Sequence, residues 1–221
     1  MIFVRLLFAA CILCEAQVPE AGSKMETLVD KALNSRGREY FEAERAYRLA
    51  GDLSALPQAP SATNMDPLSA LILQVLRQWK QPEAQEFDQA LEYLDTLPAR
   101  IANTPITSPS PSGISGYLSM HFSWRVADLM AVHLIKQTDW PQWRVSGVLL
   151  YLREQARPSI TAALIRFVSE TQDKRWIAVA LDTIRAAQDP DLPAKVYAEE
   201  RHAATKSRPL PPALKELVKP R

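Results

Sequence analysis

The sequence predicts an all-α protein built from antiparallel helical hairpins. Three observations carry that expectation. Seventeen prolines stand against six glycines, and several of the prolines fall where a helix would begin, at the first turn, where the missing N–H costs nothing. No Asn-Gly or Asp-Gly dipeptide occurs, and no stretch alternates apolar and polar residues long enough to make a strand hairpin. Apolar residues recur instead at steps of three and four, the period of one helix face.

The first sixteen residues, MIFVRLLFAACILCEA, read as an export signal. Arg5 supplies an early positive charge, an apolar run follows from Leu6 to Cys14, and Cys14 and Ala16 are small residues at the two positions a signal peptidase reads. This predicts a signal peptide over residues 1–16, cleavage after Ala16 and a periplasmic or secreted protein. The run has nine residues, far short of the roughly 20 that span a bilayer. The other reading is a lipoprotein, because Phe8-Ala9-Ala10-Cys11 places small residues before a cysteine. A membrane is expected as a partner only if Cys11 is lipidated. Cys11 and Cys14 are the chain's two cysteines. Cleavage after Ala16 therefore removes disulfides, thiol catalysis and thiolate metal sites from the mature protein.

Residues 17–97 form the next region. Met25, Leu28, Val29, Ala32 and Leu33 mark a helix that meets Gly37. Tyr40, Phe41 and Tyr47 continue toward a C-cap at Gly51, and a loop covers residues 51–65. Asp66-Pro67 opens a helix with Leu68, Leu71, Ile72, Val75, Leu76 and Trp79 on its stripe. Pro82 opens another with Phe87, Ala90, Leu91, Leu94 and Leu97, and Glu83, Glu86 and Asp88 lie near its positive N-terminal end. Residues 98–116 break the pattern with prolines at 98, 105, 109 and 111. They read as a Pro/Ser-rich loop or linker.

Helices resume over residues 117–206. Leu118, Phe122, Val126, Leu129, Met130, His133 and Leu134 fit one long helix. Pro141, Pro158, Lys174 and Pro193 begin the helices after it. Residues 207–221 form a basic, Pro-rich tail. The last 27 residues carry seven basic and three acidic side chains, but Tyr197 is the one aromatic among them, not the interleaved series of single-strand nucleic-acid binders. The tail therefore reads as a solvated end, and no nucleic-acid partner is expected.

Trp143 and Trp176 lie 33 residues apart, each near the start of a helix. DWPQWRVSGVLLYL, from Asp139, and DKRWIAVALDTI, from Asp173, each have an Asp-led turn, a Trp and then small and apolar residues at helical spacing. The two segments resemble the second-helix consensus of bacterial HEAT-like repeats, and Pro158-Ser-Ile-Thr resembles the first helix of the following unit. The resemblance covers residues 139–204 and implies a short α-solenoid stack whose work is binding macromolecules. Two units are fewer than a free-standing solenoid needs, and an ordinary helical bundle is the competing architecture.

No chemical motif stands out. His121, His133 and His202 form no metal-ligand spacing. His133 falls on an apolar stripe, as a core histidine would, and His202 follows two glutamates on a surface. Gly113-Ile-Ser115-Gly116 lacks the final glycine of a nucleophile elbow, because Tyr117 stands there. Asp88, Glu92 and Asp95 share a helix face, where three solvated acids are commoner than a glycosidase pair. No catalytic, metal or cofactor residue is therefore expected. Tryptophan is enriched at interface hot spots, which makes Trp140, Trp143, Arg144 and Trp124 the candidate partner-binding residues. The expected function is an exported, non-catalytic protein that binds another protein as an adaptor, assembly factor or toxin inhibitor of the immunity type. A helical carrier of an apolar small molecule is the alternative, and a cell-wall hydrolase is a third reading.

Overall fold

A computed structural model describes residues 19–49, 66–78, 82–102 and 108–219. The expected signal segment, the loop over residues 51–65 and Trp79 lie outside the described residues. Those residues form eleven α-helices and one 3-10 turn, with no strand among them. The protein is all-α. Among the described residues no helix is long and apolar enough to cross a membrane.

The helices are α1 (Pro19–Asn34), α2 (Gly37–Leu49), α3 (Pro67–Gln78), α4 (Pro82–Ile101), α5 (Pro111–His121), α6 (Val126–Lys136), α7 (Gln142–Glu154), α8 (Thr161–Glu170), α9 (Lys174–Ala186), α10 (Leu192–Thr205) and α11 (Pro212–Leu217). The 3-10 turn Pro158–Ile160 leads into α8. Prolines begin many of these elements, as their fixed φ and missing donor favour. Asp66 adds a cap to α3, its carboxylate accepting from Ser69 N at 3.1 Å.

Three features differ from the sequence expectation. The long helix through Leu118 and Leu134 is two helices, because Phe122 turns extended (φ −123°, ψ 146°) and Glu86 of α4 accepts a bond from Ser123 N at 3.0 Å. The loop expected over residues 98–116 is helical at both ends. There α4 runs through Pro98 to Ile101, and α5 starts at Pro111. Pro98 costs α4 only the single i→i−4 bond to Leu94. The tail is not a loose end either. Leu210 and Leu214 are buried, α11 packs on α9, and Arg208 reaches Glu170 at 3.3 Å.

Helix α6 is the centre of the molecule. All eleven of its residues are buried, and α3, α4, α7 and α8 pack around it. A helix apolar on every side is expected to be enclosed, and VADLMAVHLIK has only three ionisable side chains. Asp128 accepts from Ser159 Oγ at 2.7 Å and faces the Arg157 guanidinium at 3.3 Å. Lys136 donates to the carbonyls of Ala32, Leu33 and Ser35 at 2.8–2.9 Å. It thereby closes the C-terminal end of α1, where unpaired carbonyls and the helix dipole attract a cation. His133 is the third.

Alternate helices also touch from α5 onward. α5 packs on α7, α7 on α9 and α9 on α11, while α6 packs on α8 and α8 on α10. The contact of α5 with α7 is close because Gly147 has no side chain. A Cβ there would stand 2.7 Å from Ile114 Cγ2. On the other side α3 packs against both α6 and α8, so the α6–α8 row is covered and does not present the open face of a repeat stack.

Candidate functional site

The α1–α2 turn, α4, the C-terminal end of α6 and the start of α7 enclose an open cleft of about 540 Å3. Gly37 adopts φ +55°, a left-handed conformation that glycine takes without strain. A Cβ there would lie 3.2 Å from Thr138 Oγ1, so the bare backbone lets the turn close against the α6–α7 connection. Phe41 of α2, Leu91 and Asp95 of α4, His133 of α6, Trp140 and Arg144 all line the cleft.

Its floor is a ladder of flat groups. The Phe41 ring stacks on His133 with centroids 4.5 Å apart, and His133 stacks on Trp140 at 5.6 Å and 15°. The Arg144 guanidinium covers Trp140 at 4.4 Å. Phe87 supports His133 from the side at 5.1 Å. Gln137, oriented to satisfy both neighbours, accepts from Trp140 Nε1 at 3.1 Å and donates to Asp139 at 2.8 Å. Burial drives the His133 pKa down to about 3, and the positive charges of Arg144 and Arg48 push the same way. The ring is neutral near pH 7 and is not poised for acid–base exchange there.

Arg144 is only 9% exposed. It pairs with Asp95 through Nη1, and its Nε is buried with no hydrogen-bond partner. The Asp95 side chain is 63% exposed. Asp88 is likewise held by an arginine, Arg48, at 3.0 Å. Glu92 belongs elsewhere, in a second open cleft of about 360 Å3 beside Tyr93, Tyr117 and His121. Asp88, Glu92 and Asp95 thus meet different neighbours, and two of them are engaged with other helices. Among the described residues no three His, Cys, Asp or Glu side chains converge as a metal site would require.

The structure brings together two of the four candidate partner-binding residues, Trp140 and Arg144. Trp143 is half-buried against the core. Trp124 lies on the α5–α6 turn, 55% exposed, with Arg157 at 4.4 Å and Arg125 at 5.4 Å from its ring. His121 and His133 sit on different helices, and His133 is the core histidine its stripe suggested, with the cleft at its side. His202 is half-buried, its Nε2 sealed from solvent without a hydrogen bond, and the neighbouring Glu199 is buried in an ion pair with Arg166 at 2.6 Å. That pair is not the exposed surface the sequence suggested. Ser115 faces α7 from inside α5 and donates to Glu154 at 2.6 Å, which is a packing role. Sequence reasoning missed Phe41, Gly37 and Arg38 as cleft residues. Phe41 lay on an apolar stripe like any core residue, and nothing local to Gly37 announced its meeting with Thr138.

Comparison with protein families, with curated proteins and with solved structures finds no match.

Proposed function

We propose that this is an exported, non-catalytic helical protein that binds a partner protein through the cleft at Trp140, as an adaptor, assembly factor or toxin inhibitor would. The observation that supports this reading is the open cleft floored by the Phe41–His133–Trp140 ladder and bounded by Arg144. Interfaces concentrate binding energy in a few aromatic and arginine side chains set in a pocket, and here both kinds stand together on well-packed helices. Fixed side chains lose little entropy on binding.

The two rival readings draw less support. An apolar carrier asks for enclosed apolar space, whereas both clefts described above are open and carry ionisable groups. A glycosidase asks for two carboxyls facing one substrate, whereas Asp88 and Asp95 are bound to Arg48 and Arg144. Affinity capture from envelope extract tests the binding reading. Wild-type protein is expected to recover a discrete partner that Trp140→Ala loses, and equal recovery by both, or by neither, contradicts it.

A further inference from the structure

Five N–H donors belong to a guanidinium, and Arg144 commits one group, Nη1, to Asp95. The residue is nine-tenths buried, its guanidinium lies over Trp140, and Nε is unpaired. A desolvated cation with unused donors favours an anion beside it. The surrounding backbone adds to the same field. Helix α7 begins at this wall of the cleft, and its N-cap, Pro141, makes no side-chain capping bond. Helix α2 begins on the opposite wall, at Gly37 and Arg38. Helix N-termini present free amides and the positive end of the dipole.

We propose that the cleft anchors a carboxylate carried by the partner chain, an Asp or Glu side chain or a C-terminus, against Arg144 at the uncapped start of α7. This rests on the binding reading above and gives the partner its chemistry. The planar carboxylate suits the fork of a guanidinium, and the stacked rings beside it receive the apolar neighbours of the acidic residue. Asp95 is the internal stand-in. Its carboxylate is largely in water, so it can be rehydrated as the incoming group takes its place, and buried Arg144 is never left unpaired.

The test uses the full chain and two tripeptide probes, acetyl-Leu-Leu-Glu-amide and the same peptide with Gln for Glu. NMR of the indole N–H reads binding, with the Trp140 signal identified by its loss in Trp140→Phe. The Glu peptide is expected to shift that signal saturably, and the Gln peptide at least about tenfold more weakly, since the neutral amide cannot make the charge-assisted bond. Arg144→Gln should abolish the difference between the peptides. Arg38→Gln, at an exposed position where the guanidinium pairs with Glu42, should weaken the Glu peptide alone. Asp95→Asn should strengthen it by removing the competitor, which a merely structural Asp95 would not do. Equal binding of the two peptides, weaker binding in Asp95→Asn, or tighter binding of inorganic phosphate than of the Glu peptide overturns the proposal. If neither peptide binds while extract capture still depends on Trp140, the carboxylate anchor fails and partner binding stands. If capture fails as well, both fall.

Discussion

A histidine pressed between Phe41 and Trp140 gives up its proton on folding. The His133 pKa falls from 6.5 to about 3, so the unfolded chain binds the proton that the folded one refuses. Stability from this group is complete above pH 6.5 and is lost as pH falls toward 3. Chemical denaturation at pH 7 and pH 4 should show His133→Phe losing less stability on acidification than wild type, by several kcal/mol at most; parallel losses would contradict the neutral ladder. Glu44 works with the opposite sign. Burial raises its pKa from 4.5 to about 7 against the pull of Arg48, so its contribution is present below pH 4.5 and is lost as pH rises to 7. Glu44→Gln should therefore gain on wild type as pH rises through that window, as measured by the denaturation midpoint. At this scale the sequence was informative for His133, whose apolar neighbours on one stripe foretold burial. For Arg144 it named a candidate contact and missed the burial. An arginine in a helix start reads as surface, and only the approach of α4 and the Trp140 ring buries it.

Between helices, two contacts decide how the elements sit. Lys136 closes the end of α1 with three carbonyl bonds, so Lys136→Met should cost about 3 kcal/mol. Hydrogen exchange should quicken in α1 and α2 before α8 and α9; uniform quickening would mean that the hairpin does not depend on this cap. Gly147→Ala forces Ile114 and α5 away from α7. The expected penalty is about 1–3 kcal/mol, read by thermal unfolding, and a neutral result would show that α5 moves freely. Most helices were legible in the sequence, because prolines mark their starts and stripes of three and four mark their faces. The break between α5 and α6 was not. The apolar period runs unbroken across residues 122–125, and what stops the helix there is the Glu86 bond to Ser123 N, a tertiary contact from α4. The ends of the loop at residues 98–116 were misread for the related reason that proline is compatible with a helix start at 111 and tolerated near a helix end at 98.

At the scale of the molecule, one fully enclosed helix organises everything else. Around α6 pack the N-terminal helices α3 and α4 and the later helices α7 and α8, with α3 also touching α8, and the cleft opens where α6 ends. The all-α class followed from the placement of prolines and the period of the apolar residues, whereas the wrapping of α6 depends on which faces meet across distances of a hundred residues, such as Lys136 with Ala32. Half of the cleft was visible beforehand in Trp140 and Arg144. The other half comes from α2 and α4 and exists only after folding. Site-specific photo-crosslinking in the envelope tests whether the proposed partner protein sits in this cleft. A benzoylphenylalanine in place of Arg38, exposed on the cleft wall, should yield one discrete heavier adduct, and the same probe at Asp182, exposed on α9, should yield none. No adduct from residue 38, or the same adducts from both positions, would contradict a partner protein in the cleft.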